Sequence, residues 1–345
     1  MAKSQSFAMS GRVYLLVAIA IFGAANAVTR KLTDLGAANL INGRNPISFC
    51  NVLFVGNLCA LILLAIVYFR QWRGPALRQI SPKDWLLMTL VAVLGAAVVP
   101  TLVFTALSIT AVNNVILIGQ VDTPLVLALS VLLLGERINR WVVAGALLSF
   151  VGVALTVLIP PPGAEMVSMG MMGLEIGKGE LLVVVAAVFK AVANLISKLN
   201  LKQIPLGIFS VYRMLIGTLC FFGATMLLYG PAHFMDVGSP FLWQWMVGYA
   251  AIIVVGGQFF WFSGLKLSTA SEVSFATAFN PIAGVLAAYL LLGDVPTVPQ
   301  YLGGAVILLG IALNQVGVQR LNQVAPAQSP TAEEMNEAVG FKGVG

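Results

Sequence analysis

The sequence predicts an all-α polytopic membrane protein in which ten transmembrane helices form two inverted five-helix repeats. Three observations predict this fold: the chain is 59% apolar and 9% charged, apolar runs of about twenty residues recur along it, and its second half resembles its first. A soluble chain carries roughly a quarter charged residues, so this one lacks the polar side chains that cover a surface in water. Lipid is the solvent that the composition fits.

Ten apolar segments are long enough to cross a bilayer. Prolines lie near several of their starts and tryptophans near several of their ends, which is typical of helix N-termini and of membrane interfaces. The predicted spans are residues 13–32, 47–69, 85–107, 111–134, 140–159, 179–199, 206–229, 243–265, 270–292 and 298–317.

These spans divide the chain into five regions. We expect a cytoplasmic N-terminus, a first five-helix repeat, a linker between the repeats, a second five-helix repeat, and a polar C-terminal tail that is disordered. In that order, the regions are residues 1–12, 13–159, 160–178, 179–317 and 318–345.

The basic residues predict the orientation in the membrane. Of the 19 Lys and Arg residues, 13 fall on the face that carries both termini, four on the opposite face, and two within spans. Because cytoplasmic loops are enriched in Lys and Arg, we expect both termini in the cytoplasm and the protein in the plasma or inner membrane. Scattered over short loops, these residues form no basic patch, which argues against a nucleic-acid partner.

Collinear matches between the two halves indicate an internal repeat. Residues 132–155 match 290–313 with eight identities in 24 positions, and residues 15–32 match 182–199. A shorter Gly-x-Leu-Cys match lies between them, so the order is the same in both halves. Each half has an odd number of spans, and the second copy therefore enters the membrane from the opposite side. Inverted repeats of this kind are a transporter architecture.

The segments around the fourth and ninth spans resemble a known family. A proline, the run Leu-Leu-Leu-Gly and a glycine-spaced helix extend from Asp122 to Leu155 and again from Asn280 to Leu313. This pattern is similar to that of the EamA-type proteins of the drug/metabolite transporter superfamily, and the resemblance covers roughly residues 10–320. It implies a ten-helix fold with cytoplasmic termini and a central cavity between the halves. It also implies a substrate among amino acids, drugs, nucleotide sugars or phosphorylated metabolites.

Charges and helix breaks inside spans are the first candidates for function, because a charge costs about 2.5–3.5 kcal/mol at the bilayer centre. Asp122 lies in the middle of the fourth span, two residues before Pro124, and Pro281 has the corresponding place in the ninth. Each proline leaves a backbone carbonyl, such as that of Gln120, without its helical donor. Paired broken helices at matched depth are typical of a transport site and of a hinge.

Lys190 in the sixth span begins a polar stripe that continues with Asn194, and Asn26 of the first span aligns one position from Asn194. Two interpretations of Lys190 stay open. It either forms an ion pair with Asp122, which relieves both insertion penalties, or supplies the counter-charge for an anionic substrate. The two are compatible, since a substrate carboxylate can displace Asp122. Asp122 is also a candidate carrier for a coupling proton.

The remaining candidates each have a structural alternative. Arg213 lies about seven residues into the seventh span, where it lines the cavity or reaches toward the interface. Glu272 suits the positive end of the ninth span, and its stripe with Asn280 keeps a cavity role open. Gln258 and Trp261 belong to an aromatic run of the eighth span, which packs on neighbouring helices or stacks on an apolar substrate.

These features favour a secondary transporter, an exporter or exchanger, that moves a small amphipathic metabolite or drug-like molecule by alternating access. The alternative is an organic-anion or sugar-phosphate antiporter, since Lys190 and Arg213 are the two intramembrane cations. A channel is disfavoured because no ring of like polar groups repeats. An enzyme is disfavoured because the sequence has no G-x-S-x-G, Walker A or H-E-x-x-H motif.

The expected partners are the lipid bilayer and a small-molecule substrate. No cofactor or metal is expected, because the three cysteines form no ligand cluster with the single histidine. The glycine-rich fifth and tenth spans can pack on each other or on a second copy of the chain. The sequence therefore leaves a homodimer open.

Overall fold

The fold was taken from a computed structural model that describes residues 10–72, 75–122, 124–126, 128–129, 139–158, 166–169, 174–200, 204–268 and 270–324. Nearly all of these residues are helical. The exception of note is a two-stranded antiparallel hairpin between the halves, β1 (Met166–Met169) paired with β2 (Leu174–Gly177).

The principal helices are numbered in chain order, and two of them contain a central stretch of π-helix. Single-turn and 3-10 helices connect some of them, at Phe69–Trp72, Pro75–Gln79 and Pro231–Gly238. Their bounds are α1 Gly11–Ala38, α2 Phe49–Val67, α3 Pro82–Ala92 with Val93–Val98 and Val99–Ile109, α4 Val112–Gly119, α5 Arg140–Leu158, α6 Lys178–Asn200, α7 Leu206–Tyr229, α8 Pro240–Tyr249 with Ala250–Gly256 and Gly257–Leu267, α9a Ala270–Ala278, α9b Asn280–Leu292 and α10 Val298–Val324.

Eight helices in the described part of the chain are long and apolar enough to cross a membrane: α1, α2, α3, α5, α6, α7, α8 and α10. Each overlaps a predicted span. Large apolar side chains point outward, including Leu227, Leu86 and Leu290, which are 89%, 70% and 69% exposed. Such a surface suits contact with lipid rather than water. The chain is therefore an all-α polytopic membrane protein, while the count of ten spans stays a prediction.

The fourth and ninth predicted spans are interrupted helices. α4 ends at Gly119, and a turn follows before helical backbone resumes at Asp122. In the ninth, α9a ends at Ala278, and α9b begins at Asn280 with Pro281 in its first turn. A proline is tolerated in a first turn, because no helical acceptor needs its missing N–H there. Part of the predicted fourth span, including residues 130–134, lies outside the described residues.

The π-helical stretches occupy equivalent positions in the two halves. Val93–Val98 lies in the middle of α3 and Ala250–Gly256 in the middle of α8. The offset of 157–158 residues between them is close to the offset between the matched segments 132–155 and 290–313. π-Helical turns are rare and frequently mark functional sites. Here they put the same distortion into both halves.

Helices α5 and α10 cross through reciprocal glycine contacts. A Cβ atom on Gly145 would lie 2.5 Å from the carbonyl oxygen of Gly310, and one on Gly152 would lie 2.7 Å from that of Gly303. In the repeat alignment Gly145 matches Gly303 and Gly152 matches Gly310. The two equivalent helices therefore meet at equivalent glycines in reverse order. Such helices run antiparallel and are related by an approximate twofold axis, as inverted repeats require. These glycine faces pack within the chain.

Several element ends differ from the predicted ones. α1 continues to Ala38, and α10 continues to Val324, past the predicted start of the tail. The apolar pattern marks only the lipid-embedded part of a helix, and it does not show how far the helix continues through polar residues into water. The hairpin β1–β2 in the predicted linker was not foreseen, because four-residue strands give a weak pattern.

Replacement of Gly152 by Ala should weaken the fold, since the added methyl group has to push α10 away. We expect a loss of about 1–3 kcal/mol in the free energy of unfolding, the usual cost of overpacking. The matched control is Gly223→Ala in α7, where an added Cβ meets no atom of the described residues within 4 Å. Thermal unfolding of both purified variants in detergent measures the effect, and equal midpoints would contradict the close packing of α5 on α10.

Candidate functional site

A cavity of about 400 Å³ lies among α1, α3, α4, α6 and α9b, and we call it the lysine lobe. Its polar wall consists of Asn26, Gln120, Lys190 and Asn280, and the remaining wall is mostly apolar. All four were candidates from the sequence, and they come from four different helices or helix breaks. The structure thus brings together residues that are up to 254 positions apart in the chain.

A second cavity of about 230 Å³ adjoins the first, and we call it the arginine lobe. It contains the candidates Arg213, Gln258 and Trp261. Phe22 of α1 lines both lobes. The other residues of the arginine lobe are Leu64, Leu206, Ser210, Met214 and Phe262.

Lys190 and Asp122 form an ion pair at the wall of the lysine lobe. The Lys190 Nζ atom lies 2.6 Å from Asp122 Oδ2, and the two side chains are 52% and 14% exposed. The Lys190 side chain is therefore the more exposed partner. A charge-assisted hydrogen bond of this length is among the stronger polar contacts in proteins. It joins the first helical residue after the break in the fourth span to the middle of α6, so one partner comes from each half.

Small residues allow α1, α4 and α9b to meet beside the lysine lobe. A Cβ atom on Gly23 would lie 2.8 Å from Ala283 Cβ, and one on Gly284 would lie 3.0 Å from Ile116 Cγ2. Gly23 and Ile116 themselves line the lobe. This close approach brings the start of α9b, with Asn280, to the same cavity wall as Asn26.

The two hinge candidates lie at the margins of this region. Pro124 is buried in the segment that follows the break after α4. Pro281 is buried and lines a larger, mainly apolar groove of about 680 Å³ between α9b and α10. The helices are interrupted where the sequence predicted, and the use of these interruptions as hinges stays a prediction.

Two candidates lie away from both lobes. Asn194 is exposed and lines neither of them. Glu272 accepts a 2.6 Å hydrogen bond from Arg12 Nε and so ties α9a to the start of α1. This pairing agrees better with the structural interpretation of Glu272 than with its cavity role.

A buried polar cluster was missed by the sequence reasoning. The Glu180 side chain has no exposure, and its Oε1 atom accepts hydrogen bonds from the Thr110 hydroxyl and from Asn114 Nδ2, the latter at 2.6 Å. Gln300 Nε2 donates to Asn114 Oδ1 at 2.6 Å. The cluster links the C-terminal end of α3 to α4, α6 and α10. Each member lies near a span end, where polar residues are ordinary, so no single position carried a signal.

Ser210 and Phe22 were also not predicted as cavity residues, although they line the arginine lobe, whereas Phe262 belongs to the aromatic run that was considered for substrate stacking. Aromatic and hydroxyl side chains are common on any transmembrane helix. The identity of Phe22 with Phe189 in the repeat alignment was the available signal, and it marks an equivalent position rather than a role.

The architecture is shared with a protein of known crystal structure. That structure matches 88% of this chain and 98% of its own at a TM-score of 0.50 and 20% sequence identity. At this identity the likeness shows the fold alone. Together, the lipid-facing helices, the two broken helices and the internal polar cavity define a polytopic membrane protein with a buried candidate binding site.

The chain belongs to the EamA-like transporter family, whose model matches residues 9–158 and 177–315. It is 45% identical over 336 residues to the "uncharacterized transporter sll1164" of Synechocystis sp., with 96% of this chain and 95% of that protein covered. It is 25% identical over 274 residues to the "uncharacterized transporter YoaV" of Bacillus subtilis, with 78% and 87% covered. The protein is therefore an EamA family transporter and an integral membrane protein.

Removal of the Glu180 carboxylate should lower the thermal stability of the protein. In Glu180→Leu the buried Asn114 amide and Thr110 hydroxyl lose their acceptor, and stranding buried donors costs about 1–3 kcal/mol. Ser197→Ala is the control, because within the described part of the chain the Ser197 hydroxyl bonds only the Ala193 carbonyl of its own helix. Detergent-solubilised variants are compared by thermal unfolding, and an equal shift in both would show that the cluster adds no special stability.

Proposed function

We propose that this protein is a secondary transporter, an exporter or exchanger, of a small amphipathic molecule that binds in the lysine lobe. Access to the lobe alternates between the two faces of the membrane as the two halves exchange conformations. The excess of Lys and Arg on one face supports a location in the cell membrane with both termini in the cytoplasm.

The observation that carries this proposal is the Lys190–Asp122 ion pair at the cavity wall. An ion pair between two helices that serves stability alone needs no adjoining cavity. Lys190 of this pair lines a cavity of about 400 Å³ together with Asn26, Gln120 and Asn280. Intramembrane charges that face a cavity typically mark substrate or ion pathways.

The broken helices supply the second part of the mechanism. Asp122 begins the helical segment after the break in the fourth span, and Asn280 begins α9b after the break in the ninth. Interrupted helices leave backbone groups available for a ligand and allow the two segments of each helix to move separately. We infer that substrate competes with Asp122 for Lys190 and that this exchange is linked to movement at Pro124 and Pro281.

Asp122 and Lys190 variants test whether the pair acts in transport or only in folding. Asp122→Asn and Lys190→Gln each leave one charge unpaired in the membrane, whereas the double variant is neutral. We expect the double variant to recover the folded yield of the wild type, since no uncompensated charge remains. It should still transport at least about tenfold more slowly, because the charge-assisted contact to substrate is lost.

The measurement is counterflow into proteoliposomes, with a panel of amino acids, sugar phosphates and lipophilic cations. Size-exclusion profiles of the same samples report folding. Recovery of both yield and transport in the double variant would make the pair a structural tie. Failure of every panel member to exchange through the wild-type protein would count against the proposed function itself.

Asp122 also provides a test of proton coupling. If its carboxylate carries the coupling proton, Asp122→Asn should abolish transport driven by a pH gradient and leave substrate exchange at equal pH intact. The reason is that exchange needs only the substrate-loaded form to open alternately to the two faces, whereas net transport driven by a pH gradient also needs a proton to bind and be released. Loss of both activities together would assign Asp122 to substrate binding or folding instead.

A further inference from the structure

The charges around the two lobes do not balance. Lys190 is neutralised by Asp122 at 2.6 Å. Among the residues that the structure describes, Arg213 forms neither a salt bridge nor a hydrogen bond. It lies close enough to Lys190 for the two cations to repel each other. The described cavity therefore carries one uncompensated positive charge, at Arg213.

Arg213 cannot lower the free-energy cost of holding an unpaired charge inside the protein by losing its proton. Guanidinium groups stay protonated in proteins, so the side chain cannot become neutral in the low-dielectric interior as a lysine can. Its side chain also lines a lobe walled by Phe22, Trp261 and Phe262. An anion in the lobe is the counter-charge that this site lacks.

The walls of the lobe indicate which kind of anion fits. Phe22 and Trp261 meet edge to face with ring centroids 6.4 Å apart, and such rings provide an apolar surface for an aromatic or aliphatic body. Gln258 has a buried Oε1 atom without a hydrogen-bond donor among the described residues. A hydroxyl or N–H group next to the anionic group would supply that donor.

We propose that the arginine lobe is a substrate subsite for a carboxylate or similar planar anion, which binds Arg213 while its apolar body contacts Phe22 and Trp261. The proposal rests on the proposed function and specifies the substrate class, an amphipathic organic anion. Because Phe22 borders both lobes, a second polar group at the opposite end of such a molecule extends toward Asn26 and Gln120. The guanidinium fork suits two parallel hydrogen bonds to a carboxylate.

The test compares three probes of nearly equal shape that differ in charge: 3-phenylpropionate, 3-phenylpropionamide and 3-phenylpropylamine. Binding to the full-length protein in lipid nanodiscs is measured by calorimetry. We expect the anion to bind about ten- to a hundredfold more tightly than the amide, the usual gain from a hydrogen bond to a charged group. In Arg213→Gln the anion should bind no better than the amide.

Two further variants separate charge at the lobe from other effects. Arg213→Lys keeps the positive charge and should retain most of the preference for the anion. Lys31→Gln removes an exposed cation of α1 that lines neither lobe, and it should leave the preference unchanged. If Arg213→Gln failed to fold, loss of the preference in Arg213→Met and its retention in Arg213→Lys would carry the same conclusion.

Each outcome decides the proposal. Equal affinity of the wild type for the anion and the amide, no binding of the anion, or an anion preference that survives in Arg213→Gln would overturn the subsite. If the protein exchanges another compound at a rate that Arg213→Gln does not change, the subsite proposal is also overturned. The proposed function would then remain in place. Anion binding through Arg213 without any transport would support the subsite and count against the proposed function.

Discussion

The structure depends on one constraint: inside a bilayer, each backbone N–H and C=O group must find a partner within the protein. Continuous helices meet this constraint, and eight of them make up most of the described chain. Helices that break at membrane depth are tolerated only beside protein or a cavity. The break after α4 borders the lysine lobe through Gly119 and Gln120, and the break before α9b borders it through Asn280. The irregular backbone and the polar cavity are therefore two parts of one arrangement.

Much of this arrangement could be predicted from hydropathy and from intramembrane charge, because both are strong signals in a lipid solvent. The Lys190–Asp122 pair is confirmed as a contact, since an unpaired charge in the membrane has few alternatives. The sequence could not predict that Asn194 faces away from the cavity. Two or three polar residues on one side of a helix do not show which neighbouring helix that side contacts. The Glu180 cluster was missed for a different reason: a carboxylate at a span end is normally solvated, and only the packing of α3, α4 and α10 buries it.

The repeat explains the backbone better than it explains the site. Helices α5 and α10, and the π-helical stretches of α3 and α8, match each other across the two halves. The charges do not. Lys190 aligns with Gly23, and at that glycine α9b packs closely on α1. One half uses the position to bring two helices together, while the other uses it to hold a cation. The scaffold is thus approximately symmetric, and the chemistry of the cavity belongs to one side of it.

The reciprocal glycine crossing of α5 and α10 has a mechanical consequence. The approximate twofold axis that relates the two halves passes through this crossing. If the halves interchange their conformations, the geometry of the crossing is therefore the same before and after. Gly145, Gly152, Gly303 and Gly310 keep the same neighbours before and after such a change. If the two halves exchange conformations as proposed, the crossing is a stationary pivot, and the displacement that opens either face falls on the helices that surround the lobes.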